Sequence, residues 1–150
     1  MSRTATYHTR VSWKGEHWGH IQMGNGPEMD FSAPPDVQGH SGVLTPEDAF
    51  VAAVNTCVMM MFIWAVERFK LDLVSYDCSA EGTKLMELDR TEIFTLVVLR
   101  PRIVIRAKDE MRPAVEKRAW RALESAQKYS LVANSIKSEV RVEPIIEFVS

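Results

Sequence analysis

The sequence has little of what several protein classes require. It has two cysteines in 150 residues, too few for a disulfide framework. The formal net charge is −2, so no excess of positive charge predicts a nucleic acid or an anionic membrane as partner. The N-terminal stretch "MSRTATYHTRVSW" contains no apolar segment of the kind found in a signal peptide. We therefore expect no secretory signal, a cytoplasmic location and two free thiols.

What remains is the composition of a globular protein, with 46% hydrophobic and 25% charged residues. A chain of 150 residues is predicted to form a single domain, residues 1–150. Its expected parts are an N-terminal β-meander and loop (1–44), a central helix (45–70) and a β-β-α-β segment (71–150). We find no repeats, linkers or low-complexity segments.

One long apolar run is present, from Ala49 to Val66, and only Asn55 and Thr56 interrupt it. Its 18 residues reach the length of a transmembrane helix. Charged residues flank it closely and two polar residues lie near its centre, so we reject that interpretation. A helix apolar on nearly all sides is expected to be buried on nearly all sides. A homodimer in which two such helices pack together is the simplest way to bury it.

Alternating apolar and polar residues predict the strands. "YHTRVSW", "HWGHIQM" and "EMDFS" read as a β-meander with turns at Gly15 and Gly24–Pro27, and His17 is predicted to point toward the core side. "LVSYDCSAEG", "TEIFTLVVLRPRIVIR" and "SEVRVEPIIEFV" are further strands, and Pro101 should bend the second of these or confine it to an edge. The order βββ-α-ββ-α-β predicts an α+β fold with antiparallel sheet.

Two helices are indicated. Thr45 caps the first, Pro46 takes its first position, and Glu47 and Asp48 favour the positive end of its dipole. The second begins between Asp109 and Pro113. Its inward stripe is Val115, Ala119, Ala122, Leu123 and Ala126, and continues to Ser130.

Cys57 lies in the middle of the first helix, and the residues around it leave its role open. Its neighbours one turn away are all apolar, and they disfavour a thiolate: Ala53, Val54, Met60 and Met61. Glu47 precedes it by ten residues, about 15 Å along a helix, so the two cannot touch within that helix. From this pattern Cys57 is an inert core thiol unless another segment brings a base or a cation to it.

The stretch "GHSGVLTPEDAFVAAVNTC" resembles the signature of the OsmC/organic hydroperoxide resistance (Ohr) family. There a loop leads into Pro-Glu, and the peroxidatic cysteine follows ten residues later. Pro46, Glu47 and Cys57 hold those positions here. The resemblance implies an OsmC-like fold with a long buried central helix and an intertwined homodimer with sites at the subunit interface. It also implies peroxiredoxin activity on organic hydroperoxides in the oxidative stress response, with external thiols as reductants.

Two positions depart from that family. Its second, resolving cysteine corresponds to Ser130 in "AQKYSLVANSI"; a serine can donate a hydrogen bond to sulfur but cannot form the disulfide. Its activating arginine corresponds to His17 in "GEHWG", a weaker and pH-dependent substitute. Arg10 is the other candidate cation, although its strand parity points it away from Val11 and Trp13.

Cys78 is a second candidate for a resolving thiol. If its strand packs antiparallel against the central helix, Cys78 returns level with Cys57, on the face that carries Val74, Tyr76 and Ala80. The gap of about 10 Å between a sheet and a helix exceeds the Cα separation of a disulfide, so a role as core filler is the alternative.

The sequence supports two hypotheses of different classes. The first is a thiol peroxidase in which Cys57 is the nucleophile, Glu47 orients the cation or substrate, and His17 is the base or positive partner. Turnover would use one cysteine and an external thiol, with no cofactor and no metal. The second is a redox-weak homodimer that binds a small hydrophobic ligand at the subunit interface.

Overall fold

The computed structural model describes residues 2–150, and its elements follow the predicted order except that the last strand is in two pieces. By their internal contacts, the residues divide into two compact units, one ending at Phe50 and one spanning Val51–Ser150. The division lies in the first turns of the central helix. That residues 1–150 form a single domain stays a prediction.

The first unit contains a three-stranded antiparallel sheet, the predicted meander. Its strands are β1 (Thr9–Gly15), β2 (Trp18–Met23) and β3 (Glu28–Ser32), in that order. The register gives the sheet an apolar face with Val11, Trp13, Ile21 and Phe31, and a polar face with Ser12, His20 and Asp30. After β3, a single 3₁₀ turn at Pro35–Val37 interrupts the loop that leads to the central helix.

The central helix, α1, spans Pro46–Arg68. Thr45 Oγ1 accepts a hydrogen bond from the N–H of Asp48 at 3.1 Å, which confirms the predicted N-cap. In the second unit α1 packs on the first strand of the sheet. Phe62 lies against Tyr76 with ring centroids 5.4 Å apart, and the amide of Asn55 donates to the carbonyl of Cys78 at 3.1 Å.

One side of α1 is buried in the single chain and the other is not. Its five buried residues are Val54, Val58, Phe62, Ala65 and Val66. Met59, Met60 and Trp64 are exposed, Trp64 to 53%. The prediction of burial on nearly all sides is therefore not met within one chain. By length and composition α1 could cross a membrane, but the core helix of a soluble protein passes the same test.

The second unit contains a four-stranded mixed sheet. β4 (Leu73–Met86) and β5 (Glu92–Arg106) are antiparallel, whereas β6 (Glu139–Val142) and β7 (Ile145–Val149) both pair parallel with β5. The predicted antiparallel pairing thus holds for β1 to β5 only. The long helix after β5 carries the chain back along the sheet, so the next strand runs in the same direction as β5.

Pro101 lies in the middle of β5, a central strand, and is fully buried. The prediction that it confines the strand to an edge is wrong. β6 pairs with β5 up to Leu99, and β7 begins to pair at Arg102. Pro101 therefore lies beside the break between these two strands. No neighbouring strand in residues 2–150 accepts a hydrogen bond at that point, so the missing N–H of proline costs no ladder bond.

The second helix, α2, spans Arg112–Tyr129, after a 3₁₀ turn at Asp109–Met111, and a short helix, α3, spans Leu131–Asn134. All the residues of the predicted inward stripe are buried: Val115, Ala119, Ala122, Leu123, Ala126 and Ser130. Arg68 donates to Ser125 at 2.6 Å, so the end of α1 lies beside α2.

Candidate functional site

The thiol of Cys57 lies against the hydroxyl of Ser130. Ser130 Oγ donates a hydrogen bond to Cys57 Sγ at 3.2 Å, across 73 residues of sequence. Cys57 is partly exposed, whereas Ser130 has no exposed surface. The structure therefore brings together two of the predicted site residues within the second unit.

The local fold fixes the hydroxyl of Ser130. Ser130 separates α2 from α3 and caps α3, because its Oγ accepts a hydrogen bond from the N–H of Ala133 at 3.2 Å. A hydroxyl has one hydrogen to donate and two lone pairs to accept. The N–H of Ala133 occupies one of these lone pairs, and the hydroxyl donates its single hydrogen to Cys57 Sγ.

Cys78 lies on β4 and is also a free, partly exposed thiol. Its Sγ donates to the carbonyl of Ser79 at 3.5 Å. Burial raises the pKa of the Cys78 thiol above its ordinary value, so a reactive thiolate is disfavoured there. The contact of Asn55 with the Cys78 carbonyl shows that β4 packs on its own helix, which was the condition for Cys78 to return level with Cys57. A resolving role for Cys78 stays a prediction.

Sequence reasoning did not single out Tyr76. Its hydroxyl is buried and interacts with the thiol of Cys78. Burial raises the pKa of this phenol far above its usual range, so Tyr76 stays protonated and keeps a hydrogen to donate. The signal was available: strand alternation places a polar phenol on the inward face beside Cys78.

His17 was predicted to lie in the second strand, but the structure places it in the turn before that strand. It borders a small cavity together with Val11, Trp13 and Phe31, so the predicted direction toward the apolar side is not contradicted. Gly15 pairs with Trp18, so Glu16 and His17 form the two-residue connection between β1 and β2. The side chain of His17 is exposed. The register shifts between Trp13 and Gly15, and Glu16 adopts a positive φ of 49°. Simple alternation through the turn could not anticipate this irregularity.

Arg10 lies on β1 opposite Gln22, on the polar face of the meander. It lines a small polar cavity with Ser12, His20 and Gln22. It therefore points away from Val11 and Trp13, as its parity predicts.

Glu47 lies in the first turn of α1. One of its carboxylate oxygens is buried and has no hydrogen-bond partner within residues 2–150. A buried carboxylate oxygen without a donor is costly, so the position is suited to a donor that a second molecule or subunit supplies.

The first unit also contains an apolar cavity of about 420 Å³. It is lined by Val11, Ile21, Phe31, Leu44, Thr45, Pro46, Ala49 and Phe50. None of these side chains is charged. The cavity lies directly beside the start of α1, where Glu47 is found.

His20 belongs to a charged cluster that the sequence analysis did not predict. Its Nδ1 lies 2.8 Å from Asp30 Oδ1 and its Nε2 lies 3.0 Å from Glu28 Oε1. Lys14 Nζ lies 2.9 Å from the other oxygen of Asp30. The hydrogen bond with Asp30, and then that with Glu28, raises the pKa of His20. The register of β2 with β3 could have found this cluster.

Another histidine and three arginines have structural contacts. His40, in the loop before α1, stacks on Trp18 with ring centroids 4.2 Å apart. The three arginines of β5 form exposed ion pairs: Arg100 with Glu143, Arg102 with Glu147 and Arg106 with Asp72. Among residues 2–150 no three His, Cys, Asp or Glu side chains are placed to hold a metal ion.

Known proteins share both sequence features and the fold of this chain. The family model described as "OsmC-like protein" matches residues 39–144. An OsmC-like protein of unknown function from Vibrio cholerae superposes with a TM-score of 0.80 at 25% identity, covering 95% of this chain and all of that one. No match was found among the curated proteins.

Two organic hydroperoxide resistance proteins share the fold. The protein from Elizabethkingia anophelis superposes with a TM-score of 0.71 at 16% identity, over 99% of this chain and 100% of that one. The protein from Legionella pneumophila gives a TM-score of 0.68 at 18% identity, over 96% and 99%. The predicted α+β, OsmC-like fold is confirmed, and the chain belongs to the OsmC-like protein family.

Proposed function

We propose that this protein is a thiol-dependent peroxidase that reduces organic hydroperoxides through Cys57. The observation that carries the proposal is the hydrogen bond from Ser130 Oγ to Cys57 Sγ at 3.2 Å. This bond gives the partly exposed Cys57 thiol a buried hydrogen-bond donor in a fixed position. The apolar neighbours of Cys57 on α1 supply no such donor. Membership of the OsmC-like family supports the same reaction class.

In the first step the Cys57 thiolate attacks the terminal oxygen of the hydroperoxide, the one that carries hydrogen. The S–O bond forms as the O–O bond breaks, and the alkoxide takes a proton to leave as an alcohol. The sulfur is oxidised to a sulfenic acid and the peroxide is reduced. The hydroxyl of Ser130 stays within reach of the reacting sulfur.

An external thiol completes the cycle, because a serine at position 130 cannot resolve the sulfenic acid. A thiolate attacks the Cys57 sulfur, the S–S bond forms, and the sulfenic oxygen leaves as water. A second thiolate then attacks the mixed disulfide and releases Cys57 and an oxidised dithiol. Turnover thus uses one protein cysteine and two external thiol groups.

Glu47 and His17 are the proposed polar partners, delivered across a subunit boundary. The unpartnered buried oxygen of Glu47 supports this role, since it needs a donor. His17 is exposed in a turn, where it is free to meet another subunit. In this arrangement Glu47 orients the cation or the substrate, and His17 is the base or the positive partner.

The proposed functional unit is a homodimer. Its support is the exposed apolar side of α1, where Met59, Met60 and Trp64 are 38%, 45% and 53% exposed. Trp64→Glu is expected to yield a monomer in analytical ultracentrifugation. Trp120→Glu is the matched control, because Trp120 is 44% exposed on α2 and should leave the dimer intact. A wild-type monomer at micromolar concentration would contradict the dimer.

Peroxide titration tests the proposed reaction. The reduced protein is mixed with cumene hydroperoxide, and the mass of the Cys57 peptide is followed. We expect one oxygen per chain on Cys57, catalytic turnover when a dithiol is added, and neither in Cys57→Ser. Cys78→Ser should retain turnover. A folded protein whose Cys57 remains reduced in excess hydroperoxide would refute the peroxidase.

The apolar cavity supports a second candidate function, a dimer that binds a small hydrophobic ligand. Its volume of about 420 Å³ and its uncharged lining suit such a ligand. This candidate predicts saturable binding of an apolar fluorescent probe that Cys57→Ser leaves unchanged and Ala49→Trp abolishes. Binding without oxidation of Cys57 would favour this function over the peroxidase.

The site of action proposed for either function is the cytoplasm, where thiol reductants keep cysteines reduced. The peroxidase would then serve the response to oxidative stress.

A further inference from the structure

We propose that Ser130 is a positioning residue for the peroxidase reaction: its hydroxyl hydrogen is locked onto Cys57 and stabilises the thiolate that attacks the peroxide. The inference rests on the proposed function, because it concerns the same sulfur. It goes further by giving position 130 a chemical role that does not depend on a second cysteine.

The direction of the hydrogen bond carries the argument. A buried hydroxyl can usually rotate between donating and accepting, and then its effect on a neighbouring thiol is undefined. Here the N–H of Ala133 reaches Ser130 Oγ at 3.2 Å, and an N–H can only donate. Ser130 has no exposed surface, so water does not compete for its hydrogen. Cys57 Sγ, at 3.2 Å, is the acceptor that remains.

The same bond distinguishes the two protonation states of Cys57. A hydrogen bond to an ionised acceptor is about twice as strong as one to a neutral acceptor. Ser130 therefore stabilises the thiolate more than the thiol. After oxidation, the same hydrogen can be donated to a sulfenate at Cys57, which keeps the oxidised sulfur in place until an external thiol attacks it.

A second role of Ser130 must be separated from this one, because its oxygen also caps α3. Ala at an N-cap is much worse than Ser, so Ser130→Ala would remove the cap and the donor together. Gly and Thr are caps of about equal quality, but only Thr carries a hydroxyl. Ser130→Gly and Ser130→Thr are therefore a matched pair that differs in the donor.

The experiment measures the rate of iodoacetamide alkylation against pH, peptide by peptide, in the full-length protein. In Ser130→Gly we expect the Cys57 profile to move to higher pH, so that alkylation at neutral pH is several-fold slower than in the wild type. Ser130→Thr should stay near the wild-type profile. Cys78 reports in the same sample and should be unchanged in both variants.

The outcomes separate the hypotheses. If Ser130 only caps α3, both variants lower the melting temperature alike and the Cys57 midpoint does not move. An unmoved midpoint in Ser130→Gly, or an equal shift in Ser130→Thr, overturns the proposal. Either result leaves the peroxidase intact if wild-type Cys57 is still oxidised by cumene hydroperoxide. If Ser130→Gly does not fold, the wild-type profile decides: a Cys57 midpoint at or above the free-thiol value of about 8.5 overturns the proposal.

Discussion

Ser130→Cys is expected to form a disulfide with Cys57 when the protein is oxidised. Ser130 Oγ lies 3.2 Å from Cys57 Sγ, and a disulfide bond is about 2.05 Å long. The two atoms must therefore approach by about 1.2 Å, a shift that the partly exposed side chain of Cys57 can accommodate. In this variant the cycle should change from one cysteine to two.

The size of the effect follows from the loop that the bond closes. Cys57 and Ser130 are 73 residues apart, so the chain-entropy model predicts a stabilisation of about 4 kcal/mol relative to the reduced variant. For a chain of this size that corresponds to a rise in melting temperature on the order of 10 °C. Strain from the closing movement would reduce this value.

The assay combines peptide mapping without reductant, to identify the bond, with melting curves before and after reduction. Ser135→Cys is the matched control, because Ser135 is exposed at the end of α3 and an introduced thiol there should not pair with Cys57. Two free thiols after stoichiometric peroxide, with Cys57 carrying oxygen, would show that position 130 does not reach the sulfur in solution. The geometric basis of the site would then be wrong.

Three further substitutions test the fold. Phe62→Ala should lower the free energy of unfolding, measured in urea, by about 3–5 kcal/mol, because Phe62 has no exposed surface. Leu88→Ala is the control, because Leu88 is fully exposed and its loss should change stability little. Equal losses in the two variants would contradict the packing of α1. Gly39→Ala should lower the free energy of unfolding by about 1–3 kcal/mol, because a Cβ there would lie 1.5 Å from the carbonyl oxygen of Ala33. An unchanged unfolding midpoint would contradict the close approach of Gly39 to Ala33. His20→Gln should lower the melting temperature most at acid pH: the raised pKa of His20 means that its contribution is full below about pH 6.5 and is lost as the pH rises through the higher folded value. A difference between His20→Gln and wild type that grows toward alkaline pH would refute that assignment.

Most of the fold could be predicted because its elements obey single periods. The stripe of α2 is a clear example: every residue placed inward by the 3.6-residue period is buried, from Val115 to Ser130. The N-cap at Thr45 could also be predicted, because it depends only on local residues: one side-chain oxygen and one backbone N–H three residues later. Pairing direction was harder. β6 and β7 are parallel to β5 because of the path of α2, and no local pattern in those strands reports it.

The candidate site was less predictable, because it depends on the geometry of a turn and on contacts between residues that are far apart in sequence. His17 was misplaced by an irregularity of one residue between Trp13 and Gly15, which moves it out of β2 and into the turn. A two-residue period cannot reveal such a shift. Tyr76 was overlooked although alternation placed it inward, because its phenol is apolar enough to pass for core.

Ser130 shows how a sequence can indicate a contact that it cannot locate. It extends an otherwise apolar stripe, and a buried hydroxyl needs partners. The cap of α3 satisfies the oxygen but leaves the hydrogen, so a second partner is required. Within residues 2–150, the only other atom hydrogen-bonded to the Ser130 hydroxyl is the sulfur of Cys57. Since Cys57 is itself surrounded by apolar neighbours on α1, each of these residues supplies the polar contact that the other lacks, and loss of either should alter the chemistry of the site more than its packing.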